Sequence, residues 1–141
     1  MTKITLKGNP IKTSGELPQI GKKAPGFKLV KNDLSIAKLK DFKGSKLLLN
    51  ITPSLDTGVC AASLRKFNEA AAKVENVTII NISRDLPFAQ ARFCGAEGID
   101  KAITLSDFNT GKFGKKYGVT IKTGPLAGLH SRAVVVIDEK G

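Results

Sequence analysis

Pro53-Ser54-Leu55-Asp56-Thr57-Gly58-Val59-Cys60 runs straight into Ala61-Ala62-Ser63-Leu64-Arg65. The stretch joins an apolar run, Leu47-Leu48-Leu49-Asn50-Ile51, to a helix-like run from Ala61 to Val74. Continuous apolar character from Lys46 to Ile51, bounded by polar residues, fits a strand covered on both faces, as in a central parallel sheet. Leu64, Phe67, Ala71 and Val74 recur at helical spacing, with Arg65, Lys66, Asn68, Glu69 and Lys73 on the other side. Cys60 therefore stands where a buried strand hands over to the first turn of a helix. Backbone N–H groups there lack internal partners and present partial positive charge. A thiol so placed ionises more readily, and the thiolate is the reactive form. Cys60 reads as a nucleophile.

Downstream, Val77 to Ile82 is a second buried strand, and Ser83-Arg84-Asp85-Leu86-Pro87 has the composition of a helix start with proline in the first turn. That helix passes through Phe88, Ala91 and Phe93 to Cys94, with Gly95 as the expected terminator. Ile103-Thr104-Leu105-Ser106 is a short strand, Lys112 to Tyr117 a weak glycine-containing helix, and Ala133 to Ile137 the last clear strand. Upstream, Ile4 and Leu6 face Ile11 across Lys7-Gly8-Asn9-Pro10, a hairpin with Gly8 and Asn9 supplying the turn. Phe27 to Val30 and Ser35 to Leu39 are further strand candidates. The alternation of strands and helices implies α/β layers with at least partly parallel pairing. Asp138-Glu139-Lys140-Gly141 is hairpin-turn chemistry with no return strand after it, so the chain is truncated or that sheet edge is open.

The whole chain sets bounds on this. A length of 141 residues, 41% hydrophobic and 25% charged, suits one globular domain over 1–141. No apolar run approaches the roughly 18–20 residues that span a bilayer, and the N-terminus lacks a signal-peptide apolar region. The expectation is a cytoplasmic protein without a membrane partner. Two cysteines in such a compartment are more often catalytic or redox-sensing than structural. The net charge of +11 raises the question of nucleic acid. The lysines are scattered, however, without interleaved aromatic residues or a nucleic-acid motif, and a solvated basic surface accounts for them. Two cysteines and one histidine fall short of a closed zinc site, so neither metal nor cofactor is expected. His130 reads as a loop residue with local hydrogen bonds, since a thiolate needs no general base once it has formed.

The order P-x-x-x-T-x-x-C after a buried strand resembles the peroxiredoxin active-site motif. Wider segments are similar to the bacterial thiol peroxidase subfamily of atypical two-cysteine peroxiredoxins: Asn50 through Ala61, Arg65-Lys66-Phe67-Asn68, Asp85 through Gly98, Gly124-Pro125-Leu126-Ala127-Gly128-Leu129, and Arg132 through Val136. The resemblance covers essentially the whole chain. It implies a thioredoxin-like α/β fold with an N-terminal β-hairpin. It implies Cys60 as the peroxidatic cysteine, Thr57 and Arg132 completing the peroxide site, Pro53 shielding it, and Cys94 as the resolving cysteine. It further implies a hydroperoxide substrate, a Cys60–Cys94 disulfide recycled by thioredoxin, and a homodimer. Three positions depart from the subfamily: Gly58 stands where proline is usual, Thr52 where a larger apolar residue is common, and Gly26 where aspartate is frequent. Thr52 is expected to make the pocket mouth more polar. The subfamily also continues past Gly141 with a strand and a helix. Gly58 and that missing segment are what support a rival reading, a non-catalytic redox sensor or binding module. The positive charge supports a third, an anion- or nucleic-acid-binding module.

Overall fold

A computed structural model describes residues 3–138 apart from positions 7, 8, 14, 16, 19, 43, 56, 57, 72–75, 100 and 101; at positions 3–6, 9–12, 58–61, 63 and 71 it describes the backbone alone. Two strands, β1 (Lys3–Leu6) and β2 (Asn9–Lys12), form the expected antiparallel hairpin. Leu6 pairs with Asn9. Asn9 thus belongs to the strand, where the sequence reading placed it in the turn; Lys7 and Gly8 lie outside the described residues.

The remaining strands are β3 (Lys28–Val30), β4 (Ile36–Lys38), β5 (Lys46–Ile51), β6 (Val77–Ser83), β7 (Ile103–Ser106) and β8 (Ala133–Ile137). They form one sheet in the order β4-β3-β7-β6-β5-β8. β5, β6 and β7 run parallel, whereas β3, β4 and β8 pair antiparallel with their neighbours. Parallel neighbours require crossovers, and helices supply them. α1 (Gly58–Ala71) packs against β6, and α2 (Pro87–Glu97) packs against β7. A short third helix, α3 (Lys112–Lys116), follows β7.

Alternation along the central strands divides the core in two. Leu47, Leu49 and Ile51 of β5, with Ile80 and Ile82 of β6, meet Phe27, Phe113, Tyr117 and Val119 on the α3 side. Leu48 and Ile79 point the other way, toward Leu64 and Phe67 of α1 and Phe93 and Cys94 of α2. The result is a helix–sheet–helix sandwich, the thioredoxin-like layering. Leu64 is wholly buried, so truncating it to alanine would cost about 2–5 kcal/mol. On the α3 side, Phe113 stacks on Tyr117 with centroids 4.3 Å apart. The Tyr117 hydroxyl donates to the Pro25 carbonyl at 2.8 Å, which fixes the segment entering β3.

Two boundaries differ from the sequence reading. α1 begins at Gly58, three residues earlier than the apolar spacing showed, so Cys60 is the third residue of the helix. α2 passes through Gly95 and ends at Gly98, whose φ of 66° and N–H bond to the Cys94 carbonyl make the cap. Both glycines are compatible with a terminus; Gly98 is the one in the left-handed conformation that a C-cap uses.

Candidate active site

β5 delivers the chain to α1 through residues 52–57. The Thr52 N–H donates to the Ile82 carbonyl at 3.0 Å, prolonging the β5–β6 ladder by one step. Thr52 is fully buried, and its hydroxyl has no partner among the described residues. A side chain with no exposed surface adds no polarity to a solvent-facing pocket mouth. Pro53 follows, half-buried. Thr57 lies outside the described residues. For Cys60 the backbone alone is described, and it sits in the first turn of α1.

Arg132 reaches this end of the sheet through strand register. β8 runs antiparallel to β5, with Ala133 opposite Ile51. Arg132 directly precedes Ala133, and Thr52 directly follows Ile51, so this register brings Arg132 to the end of the sheet from which the Pro53 loop leaves. Its side chain is exposed and makes no hydrogen bond or ion pair among the described residues. Sequence separation thus hides a neighbourhood that the pairing of two strands creates.

The loop that carries Arg132 is stapled in place by residues whose part the sequence did not reveal. The guanidinium of Arg84 donates to three carbonyls, those of Asp107 at 3.2 Å, Gly128 at 2.9 Å and Phe108 at 3.0 Å. Such a fork of fixed donors suits a site where several carbonyls converge. Asp107 is buried, accepting from the Phe113 and Gly114 N–H groups at the start of α3 and meeting His130 Nε2 at 2.9 Å. His130 is itself wholly buried, so it is a core residue paired to a carboxylate rather than a loop residue with local bonds. The Ser131 N–H then donates to the Val119 carbonyl at 2.7 Å, one residue short of Arg132. Gly114 is required by this packing: a Cβ there would come 2.2 Å from Thr120 Oγ1.

Asp85 does for the Cys60 loop what Arg84 does for the Arg132 loop. Its carboxylate accepts from Ser54 Oγ at 2.7 Å and the Leu55 N–H at 2.8 Å, and from Ser83 Oγ at 2.8 Å. Its own carbonyl accepts from Ser106 Oγ. Hydrogen bonds to a charged group contribute about 1.5–3 kcal/mol each, so this carboxylate is a substantial tie between two crossovers. The Ser83-Arg84-Asp85 run reads in sequence as capping chemistry for α2. In the structure Leu86 is the N-cap and makes no side-chain cap bond. The available signal was the position of an Arg-Asp pair at the carboxyl end of a central parallel strand, where functional loops gather in open α/β sheets.

Cys94 lies on the eighth residue of α2, half-buried, and is a free thiol. It faces the sheet: its sulfur is 3.8 Å from Thr104 Oγ1 of β7. Burial pushes the Cys94 thiol up from its ordinary value, and the Thr104 hydroxyl opposes this in part. That hydroxyl donates to Asn32 Oδ1 at 3.0 Å, and in its contact with Cys94 either group can be the donor. On the surface, Arg65 and Glu97 link α1 to α2 at 2.9 Å. Asn68 Oδ1 accepts from the Ala102 N–H at 3.0 Å, fastening the body of α1 to the segment entering β7.

The positive charge is less scattered in space than in sequence. Lys28, Lys38, Lys40, Lys112 and Lys116 line one cleft of about 560 Å³ between the β3–β4 edge and α3, with no acidic side chain in its wall. That cleft includes none of Pro53, Cys94 and Arg132.

Comparison with known proteins adds to this geometry. Residues 19–141 match the Redoxin family. The chain is 52% identical over all 141 residues to a thiol peroxidase of Corynebacterium glutamicum, of which it spans 85%. A peroxiredoxin-like protein of Aquifex aeolicus superposes on 99% of this chain and 81% of its own, with a TM-score of 0.92 and 40% identity. A thiol peroxidase of Chromobacterium violaceum gives a TM-score of 0.91 at 26% identity, over 99% of this chain and 81% of that one.

Proposed function

We propose that this chain, which belongs to the Redoxin family and within it to the thiol peroxidases, reduces hydroperoxides at Cys60 and completes each turnover through Cys94. Thiol-dependent peroxidase activity goes with that membership. The observation that carries the residue assignment is the place of Cys60 in the first turn of α1, directly after the central strand β5.

The Cys60 thiolate attacks one oxygen of the peroxide. The O–O bond breaks, the departing oxygen leaves as alcohol or water after taking up from solvent the proton that the thiol gave up on ionising, and Cys60 is left as sulfenic acid. Backbone N–H groups of the first helical turn favour the thiolate. Arg132, next to Ala133 at the end of β8 that pairs with Ile51, supplies fixed donors for the negative charge that develops as the O–O bond breaks. Thr57, one residue before α1, donates to and accepts from the peroxide oxygens, and Pro53 keeps bulk water from the thiolate. The Cys94 thiolate then attacks the Cys60 sulfur, water leaves, and an intramolecular disulfide forms. A dithiol protein of the thioredoxin class supplies two electrons by exchange and restores both thiols.

A homodimer packed near this site is part of the same proposal. Its support is apolar surface: Leu86 and Phe88, at the start of α2, are exposed. A cytoplasmic setting fits a free Cys94 thiol and a thioredoxin-class reductant. Among the described residues no helix is long and apolar enough to cross a membrane.

Thiol titration tests the assignment. One equivalent of peroxide should consume both thiols of the wild-type protein. Cys94→Ser should lose its single thiol to sulfenic acid, and Cys60→Ser should keep Cys94 reduced. Rapid peroxide reduction by Cys60→Ser, or a wild-type protein that ends with one thiol intact, would contradict the reading.

A further inference from the structure

We propose that Asn32 is a positioning residue for Cys94: it takes the proton of the Thr104 hydroxyl, which leaves Thr104 to accept from the Cys94 S–H and holds that thiol in its protonated form. That this thiol is the resolving one rests on the assignment made above; the hydrogen-bond chain does not.

Strand pairing brings the three residues together. β3 runs antiparallel to β7 with Val30 opposite Ser106, and the turn that follows β3 reaches Thr104, 72 positions further on. That turn is closed by its own bonds. The Lys31 N–H donates to the Ser35 carbonyl at 2.8 Å, and the Leu34 N–H to the Lys31 carbonyl at 2.9 Å. The Asp33 carboxylate accepts from the Ser35 N–H at 3.0 Å. Asn32 stands within this turn, and the Thr104 hydroxyl donates to its Oδ1 at 3.0 Å. The same hydroxyl oxygen lies 3.8 Å from Cys94 Sγ.

A hydroxyl has one proton to give, and an amide oxygen is a stronger acceptor than a thiol sulfur. The contact to Asn32 is also the shorter of the two. The proton therefore goes to Asn32, and in the contact with Cys94 the thiol is the donor. A thiolate reverses this preference, because bonds to an ionised acceptor are about twice as strong. To stabilise the thiolate, the Thr104 hydroxyl must turn from Asn32 to the sulfur, so Asn32 weakens the help that Thr104 gives to the charged form. The other surroundings supply little. Leu55, Leu64, Ile79, Ile99 and Ala102 form the apolar cluster against which Cys94 packs. Arg65 of α1 and Glu97 of α2 pair with one another, and Asp33, beside Asn32, is held by Ser35. Burial and Thr104 are what shift Cys94, with no charged side chain among the causes.

Iodoacetamide labelling of Cys94 against pH in the reduced protein, read by mass spectrometry, tests this. Asn32→Leu keeps the branched shape and removes the acceptor. Its profile should move to lower pH, with labelling at pH 7 about fivefold faster, the scale of one neutral hydrogen bond. Asn32→Asp strengthens the acceptor and should move the profile the other way. Thr104→Val should by itself move it to higher pH, and adding Asn32→Leu should then change nothing further. A merely structural role for Asn32 would move both variants in the same direction, or would change the labelling rate at high pH and leave the midpoint in place. Either result, or an Asn32→Leu shift that persists in Thr104→Val, overturns the proposal. Disulfide closure separates it from the assignment beneath it. If the profiles move as expected and peroxide produces no Cys60–Cys94 disulfide in the wild-type protein, Cys94 is not the resolving thiol and Asn32 keeps its place in the hydrogen-bond chain. If the disulfide forms and the Asn32→Leu profile does not move, the positioning role falls alone.

Discussion

The first turn of α1 and the last turns of α2 each carry a cysteine, and their surroundings are opposite. Cys60 occupies the N-terminal turn of a helix that starts where β5 ends, at the same edge as Arg132. Cys94 stands near the C-terminal end of its helix, where its own carbonyl accepts the capping N–H of Gly98 and the N–H of Ile99. Helix starts favour anions, and helix ends disfavour them. Burial beside Thr104 raises Cys94 further. The difference fits the roles proposed for the two thiols: a helix start favours the thiolate of an attacking Cys60, and burial keeps Cys94 protonated until its target has been oxidised.

Arg132 offers the largest way to break that contrast at a single side chain. Arg132→Met should slow the first oxidation of Cys60 about a hundredfold, the scale seen when one donor to a developing charge is removed. Arg132→Lys should recover only part of the loss, because an ammonium lacks the planar fork. The rate at which Cys94 closes the disulfide should change little. Stopped-flow measurement of both steps checks this, and equal slowing of the two would show that Arg132 does not distinguish them.

Gly58 is a place to sharpen the contrast. It is the first residue of α1, the position at which proline is preferred because its missing N–H would have been unpaired and its φ is already helical. Gly58→Pro should stabilise the protein by up to about 1 kcal/mol through the unfolded chain and raise the Cys60 oxidation rate. An unchanged rate would mean that freedom at this position does not limit the site.

Much of this was legible from residues alone, for a physical reason. The buried strands β5 and β6 are unbroken apolar runs, α1 has a clear apolar stripe, and Cys60 falls at their junction whatever the rest of the chain does. What escaped was carried by long-range polar contacts. Asp85 follows a strand and precedes a proline, which is capping chemistry, yet its carboxylate crosses to Ser54 and Leu55. His130 sits in a run of glycine and proline that reads as exposed loop, and only the buried Asp107 on another loop draws it inward. Gly95 and Gly98 are equally able to end a helix, and the apolar pattern does not choose between them. That Arg132 comes to the Pro53 end of the sheet depends on the β5–β8 register, which no local signal encodes. Thr57 lies outside the described residues, so its part in the site rests on the motif alone.

The smallest expected effect concerns Thr104. Thr104→Val removes the hydroxyl that opposes the effect of burial on Cys94, and should raise that thiol further and slow disulfide closure a few-fold. With Cys94 as the attacking group, closure should also quicken about tenfold per pH unit below its raised pKa, since the thiolate fraction grows at that rate. A closure rate flat between pH 6 and 8 would remove Cys94 thiolate formation from the account.

The central claim is the asymmetry of the two thiols, and alkylation of the reduced wild-type protein tests it most directly. Iodoacetamide labelling, resolved by cysteine with mass spectrometry over pH 5–10, gives a profile for each residue. Cys60 should react through a thiolate already abundant at neutral pH, with Cys94 rising only in the alkaline range. Coincident profiles, or Cys94 labelling at the lower pH, would contradict it.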